Sequence, residues 1–421
     1  MILPQNEIER FVGQHLQHKE QYLHLLDTET SPLYILETDV LAQRANQFRR
    51  AFREHFEDCR FFFAVKSNNH PLVAGTILEA DFGLDVSSGR ELRMALDLGA
   101  EDIIFTGPGK TGGELDLAAQ NSGKVTLMMD SFQELHTLEK IVAARNVLIR
   151  AGVRLSVNTT GLWRKFGIAL DDLPEYVRQA GHCPHVDLQG LQFHSSWNLT
   201  PDAQTDFITL LGDKLSTCPA SLLENIRFLD VGGGYWPQPG EWLHAESAET
   251  SIQETKDGPA SFQPVHYHHP AASIETFAGQ LSRAINSRLD CLSPCAVYLE
   301  PGRWICNDSM HLMMTVVDKK APDLIIVDAG INAIGWERFD TDYFPVLNLT
   351  RSSLEEKPCN ICGSLCTPHD SFGFSYFGED IRIGDILLIP CQGAYTYSLK
   401  QDFIKPTPEV VILENRANYS G

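Results

Sequence analysis

The chain has no run of 18 consecutive apolar residues, so no segment reads as a membrane-spanning helix. Its first ten residues, Met1-Ile-Leu-Pro-Gln-Asn-Glu-Ile-Glu-Arg10, carry no basic region followed by an apolar core, which predicts no secretory signal. Basic residues are in deficit: 34 Lys and Arg against 55 Asp and Glu leave a net charge of -21, which argues against nucleic acid or an anionic membrane as a partner. Ten cysteines in 421 residues without a leader read as free thiols in a reducing cytoplasm. Cys359, Cys362 and Cys366 lack a second pair, or a histidine pair, at ligand spacing, so no metal is expected there. Two nucleotide motifs fail by one residue each. Gly232 and Gly234 are followed by Pro237 where a dinucleotide fingerprint needs glycine, and Gly109-Lys110-Thr111 is preceded by Ile104 where a P-loop needs glycine.

What is present is ordinary in bulk, at 43% apolar and 21% charged residues, and implies a soluble globular protein long enough for two or three domains. Apolar strand-like runs recur near 60–66, 82–86, 102–106, 125–129, 147–157, 187–193, 226–231 and 296–300. Helical periods separate them, such as Glu91–Leu98, which has Ser88 and Glu91 as a capping box and Gly99 as its stop. Eight strand-then-helix units predict a parallel (β/α)8 barrel, a TIM barrel, over 38–309. From 310 to 421 the pattern changes to short strands at 324–328, 344–349, 385–389 and 409–413, which predicts an all-β C-terminal domain. Residues 1–37 join it, through the strand at 32–36. The stretch 236–270 is rich in Pro, Gly, Glu and Ser and is too long for a barrel loop. It reads as a lid whose histidines, His266, His268 and His269, are solvated.

In a barrel of this kind the C-terminal strand ends face one site. Lys66, Asp85, His194, the glycines 232–234 and Glu300 all stand at such ends. A lysine carried out of the apolar strand Arg60-Phe-Phe-Phe-Ala-Val-Lys66 points to covalent catalysis, because burial lowers an amine's pKa and frees its lone pair. Three glycines in Asp230-Val-Gly-Gly-Gly-Tyr235 allow close backbone approach to an anion.

Ala64-Val-Lys66-Ser-Asn68, Phe193-His194, Asp230–Tyr235, Glu300-Pro-Gly-Arg303 and Gly393-Ala-Tyr395-Thr396 together resemble the fold-type III pyridoxal-phosphate decarboxylases, the family of ornithine and diaminopimelate decarboxylases. The resemblance runs from about Ser31 to Phe403. It implies pyridoxal 5'-phosphate as cofactor and Lys66 as its Schiff-base lysine, with Glu300 as the carboxylate against the pyridine nitrogen. A protonated ring is a strong electron sink. The resemblance further implies His194 stacked on the ring, Asp85 near the cofactor, and Gly232, Gly233, Gly234, Arg303 and Tyr395 around the phosphate. Cys366 would return a proton after CO2 leaves, at the site of a neighbouring subunit, so the resemblance implies a homodimer with shared sites. The alternatives are an amino-acid racemase or epimerase of the alanine-racemase-like fold, which Glu300 argues against, and a catalytically dead regulator, which would have lost these residues.

Departures from the family bear on the small-molecule substrate, an amino acid. Ser195-Ser196-Trp197 follows His194 where a Gly-Ser pair is usual. Ser156 replaces an arginine, and Arg154, on the same strand face, can substitute for it. Thr367 follows Cys366 where an acidic residue commonly receives a distal amine. The distal-pocket segment 332–342 offers Glu337, Asp340 and Asp342 but also Arg338, which could meet a distal carboxylate bidentately. The mixture points to a diamino acid such as diaminopimelate or ornithine, or to an amino acid conjugated to an acid, as in siderophore biosynthesis.

Overall fold

The computed structural model describes residues 1–157, 160–238, 240–244, 265–292, 294–335 and 342–413. They fall into two compact units, one built from 42–238 and 271–305, the other from 1–41, 239–270 and 306–421. Along the chain, helices α1 (Gln5–Leu16) and α2 (Lys19–His24) lead into β1 (Leu33–Leu36) and α3 (Thr38–Arg53). Then come β2 (Cys59–Ala64), β3 (Gly83–Val86), β4 (Ile103–Phe105), β5 (Val125–Met129), β6 (Ile149–Leu155), β7 (Val186–Phe193) and β8 (Phe228–Asp230). A short hairpin of β9 (Glu241–Leu243) and β10 (Tyr267–His269) precedes β11 (Ala296–Leu299).

Strands β2 to β8 and β11 close into a parallel barrel, as expected from the eight apolar runs. The runs are continuous because strands covered on both faces have no solvent side. Four of the helices between them start on Ser or Thr caps: Ser88, Thr111, Ser131 and Ser273 each accept the N–H three residues on. Thr111, in the failed P-loop match, is therefore a helix start, with Glu114 completing its capping box. The expected box at Ser88 is only half made, since Glu91 accepts from Ser87 N instead. Gly99 does stop its helix, at φ +79°. The barrel's centre is filled by Phe62, Ile104, Met128, Phe228, Ala296 and Tyr298. Phe228 and Tyr298 stack at 4.3 Å, and a Cβ on Gly190 would lie 1.9 Å from the Phe228 ring.

The second unit is a sheet of eight strands. β1 pairs antiparallel with β12 (Met310–Ala321) and parallel with β18 (Glu409–Ile412), so the N-terminal segment joins the C-terminal domain as expected. The other members are β13 (Leu324–Val327), β14 (Leu347–Asn348), β15 (Glu356–Cys362), β16 (Ser371–Phe377) and β17 (Ile386–Ile389), in the order β13-β15-β16-β14-β17-β12-β1-β18. Leu3, Ile8, Val12 and Tyr22 pack with Leu33, Met313, Phe377 and Leu388 in its core.

The stretch 239–270, placed within the barrel's range on sequence grounds, groups with this second unit instead. Backbone bonds explain it: Leu3 N donates to His266 O and His268 N to Met1 O. The lid expected at 236–270 lies largely outside the described residues. Of its histidines, His269 is exposed, but His266 and His268 are buried rather than solvated. His266 Nε2 bonds Glu356 at 2.9 Å.

Candidate active site

Strand β2 ends at Ala64, and Val65–Ser67 turn over as a single 3-10 turn that lifts Lys66 off the strand end. Its Nζ donates to Asp85 Oδ2 at 3.1 Å from β3, and the side chain is 35% exposed while Asp85 is fully buried. Thr106 Oγ1, just past β4, donates to the other oxygen, Asp85 Oδ1, at 2.8 Å. Burial first, then the negative charge of Glu300, push the Asp85 carboxyl up to about 7, against the pull of Lys66.

Three strand-end loops are tied by backbone bonds. Ala64 N donates to Pro301 O, Glu300 N to Gly232 O, and Val231 N to Tyr298 O, each at 3.0 Å. The glycine turn lies so close that a Cβ on Gly233 would stand 2.1 Å from Glu300 O. Gly232 and Gly234 take positive φ, +68° and +83°. Asn198 locks the turn from the β7 side: its Nδ2 donates to Gly233 O at 3.0 Å, and its backbone N to Gly234 O. This asparagine sits in the 195–198 loop that departs from the family pattern.

His194 follows β7. Gly233 N donates to its Nδ1 at 3.1 Å, so Nδ1 is an acceptor and the ring is neutral, with its proton on Nε2 towards Ser196 Oγ at 3.4 Å. Burial lowers the imidazole's pKa, in accord with a neutral ring. The approach of Glu300 Oε2 to Nδ1, 3.5 Å, is then a polar contact and not an ion pair.

Glu300 is 2% exposed. Gln192 Nε2 donates to its Oε1 at 2.5 Å. Burial works against its charge, but the His194 ring, the Lys66 charge and Asp230 hold it down at about 2. With Nδ1 of His194 occupied by Gly233 N, the Lys66 charge, Asp230 and the Gln192 hydrogen bond are the partners that favour its ionised form. Three residues on, Arg303 lies over the Trp236 ring, 4.2 Å from its centroid. Arg154 is buried and lies over Phe166 at 4.4 Å.

Lys66, Asp85, His194, Gly232–Gly234, Glu300 and Arg303 thus gather at one end of the barrel. Thr106, Gln192 and Asn198 belong with them and were not singled out from sequence. Neutral polar residues on strands and in strand-end loops carry no local mark; only the position of Gln192 two residues before His194, hence on the same strand face, hinted at it.

Cys366, Thr367 and Tyr395 belong to the β unit. Cys366 is exposed on the turn between β15 and β16. Buried Asp370 holds that turn, accepting from Ile331 N at 2.7 Å and Leu365 N at 2.5 Å. Thr367 Oγ1 accepts from His369 N at 3.5 Å, a weak bond within the turn. Tyr395 has φ +59°, an uncommon conformation for a side chain of its size. Arg338, offered as a distal-carboxylate contact, lies outside the described residues, as do Glu337 and Asp340; Asp342 is buried.

Residues 41–307 match the family model described as pyridoxal-dependent decarboxylase, pyridoxal binding domain. The chain is 24% identical over 411 residues to the diaminopimelate decarboxylase of Aquifex aeolicus, covering 93% of this chain and 88% of that one. It is 24% identical over 420 residues to an L-glutamyl acyl-carrier-protein decarboxylase of Niallia circulans, covering 92% and 90%. Among solved structures it is similar to the diaminopimelate decarboxylase of Helicobacter pylori complexed with L-lysine, with a TM-score of 0.76, 22% identity and 94% of each chain covered. The barrel, the clustered strand ends and a family match over more than half its length lead to one conclusion: the chain belongs to the pyridoxal-dependent decarboxylases.

Proposed function

We propose that this enzyme, a pyridoxal-phosphate-dependent amino-acid decarboxylase by family, acts on a diamino acid of the diaminopimelate or ornithine type. The observation that carries the site assignment is the Lys66 amine beside Asp85, with the Glu300 carboxyl buried between strand ends. These residues fit the cofactor. Lys66 supplies an accessible amine. Glu300 supplies a buried negative charge suited to a protonated ring nitrogen. The glycine turn is too close-packed for any side chain. Bound pyridoxal phosphate supplies the electron sink for the pair released when the Cα–carboxylate bond breaks.

In this reading Asp85 orients the Lys66 amine, and His194, a neutral imidazole, would support the ring. The 232–234 turn and Arg303 would hold the phosphate. Cys366 Sγ returns a proton to the substrate carbon, and its exposed turn suits delivery to the site of a second copy, so the working form is a homodimer. A racemase needs a second base opposite Lys66, and the ionised Glu300 favours decarboxylation instead.

Thr367 favours a second substrate reading. It cannot neutralise an ammonium, so a substrate bearing an acidic or conjugated far end, as in siderophore assembly, also fits. The relative from Niallia circulans is named for a carrier-linked glutamyl group rather than a free diamino acid.

The test is CO2 release from a panel of meso-diaminopimelate, ornithine, lysine, arginine and citrate-conjugated amino acids, with pyridoxal phosphate added. Release from a diamino acid supports the first reading, and release from conjugates alone replaces it with the second. No release from any member, with the cofactor bound, contradicts both.

A further inference from the structure

Beneath Lys66 the barrel buries three carboxyl groups, Asp85, Asp230 and Glu300, exposed by 0%, 0% and 2%. Lys66 pairs with Asp85, and its charge also favours ionised Glu300. Asp230 is placed differently: burial and the negative charges of Glu300 and Asp85 all act against its ionisation. Two buried carboxyls that share a site cannot both stay charged, and the proton settles on the one less well served by cations. The hydrogen bonds show how it is held. Gly232 N donates to Asp230 Oδ1 at 2.9 Å, which leaves Oδ2 to carry the proton. Gln192 Nε2 lies 3.4 Å from Asp230 Oδ2 and 2.5 Å from Glu300 Oε1, bridging the two acids. Gln192 and Asp230 are 1% and 0% exposed, so neither interaction is diluted by water.

We propose that Asp230, as a neutral carboxylic acid, and Gln192, as an amide donor, are positioning residues that orient the Glu300 carboxylate and couple it to the glycine turn. This rests on the reading that Glu300 faces the cofactor ring. Asp230 donates its proton's hydrogen bond to Glu300 while it accepts from Gly232, so one side chain sets both the carboxylate and the turn. Gln192 fixes the other edge of Glu300. The carboxylate stays ionised and cannot swing away when the ring is bound.

The first test needs no cofactor. Asp85, itself raised to about 7, would add an acid band of its own at neutral pH, so the test starts from cofactor-free Asp85→Asn. Its infrared spectrum at neutral pH should show a protonated carboxylic acid band that is lost when Asp230→Asn is added. No such band in Asp85→Asn, or a band that survives the added Asp230→Asn, overturns the proposal. The second uses the loaded enzyme. Asp230→Ala should lower kcat roughly 10- to 100-fold, the cost of a hydrogen bond to a charged group. Asp230→Asn, whose Oδ1 still accepts and whose Nδ2 still donates, should recover most of that loss. Asparagine as poor as alanine overturns the neutral-acid role. Should the Asp230 variants fail to fold, Gln192→Leu decides: the acid band persists but moves, and kcat falls with KM held. An unmoved band contradicts the bridge. Absence of CO2 release by the unaltered enzyme would refute the decarboxylase site assignment yet leave the infrared result standing, so the two failures are distinguishable.

Discussion

Two side chains, His15 and Asp85, should give the cofactor-free protein opposite pH dependences. His15 packs against Phe11 and His311, and burial lowers its pKa from 6.5 to about 3. The folded state then holds fewer protons than the unfolded chain between those values, so this histidine's contribution is present above 6.5 and lost as pH falls towards 3. The slope is about 1.4 kcal/mol per pH unit for one proton. His15→Gln should flatten urea-unfolding stability over that window. Asp85 runs the other way. Its carboxyl is raised from 3.8 to about 7, so the folded state keeps a proton that the unfolded chain gives up, and stability falls as pH rises across that range. Asp85→Asn, in the cofactor-free protein, should lessen that fall by about one proton's slope, leaving the share carried by Asp230; an unchanged slope in the variant would mean that Asp85 does not carry it. At this scale the sequence marked the residues with unusual chemistry for a strand end, namely Lys66, Asp85, His194 and Glu300. It did not mark Thr106, Gln192 or Asn198, whose roles come from the neighbours that barrel closure brings to them.

Among elements, the glycine turn and the Cys366 turn are both sensitive to single changes. A methyl on Gly233 must displace the Glu300 backbone. Gly233→Ala should therefore cost roughly 1–3 kcal/mol of stability, measured by urea unfolding, and weaken pyridoxal-phosphate binding in the same variant. Asp370→Ala removes the acceptor for Ile331 N and Leu365 N, at about 1–3 kcal/mol for each buried donor left unsatisfied. It should lower turnover about tenfold through the Cys366 turn while pyridoxal-phosphate affinity, a barrel property, holds; equal losses in both would contradict the separation. The barrel strands were legible because each is a short run buried on both faces. Strands β12, β15 and β16 were not, since Met310–Ala321 carries Asp318-Lys319-Lys320 near its end, and both Glu356–Cys362 and Ser371–Phe377 mix polar residues into a one-faced sheet. Helix α1 was missed as well, because it opens after Pro4 without a side-chain cap.

For the whole molecule, sequence periodicity was enough to separate a barrel from a β domain and to tie the N-terminus to the latter. It did not show that 239–270 belongs with the β unit, because that grouping comes from backbone bonds to Met1 and Leu3, remote in sequence. Among the described residues no helix is long and apolar enough to cross a membrane. We propose that Lys66, in a pyridoxal-dependent decarboxylase barrel, carries the chemistry. The most direct measurement compares CO2 release by the unaltered enzyme and by Lys66→Ala, both saturated with pyridoxal phosphate, on whichever panel substrate the unaltered enzyme turns over. Release should vanish in the variant while its fold is kept. Release at the unaltered rate from a folded Lys66→Ala protein would contradict it.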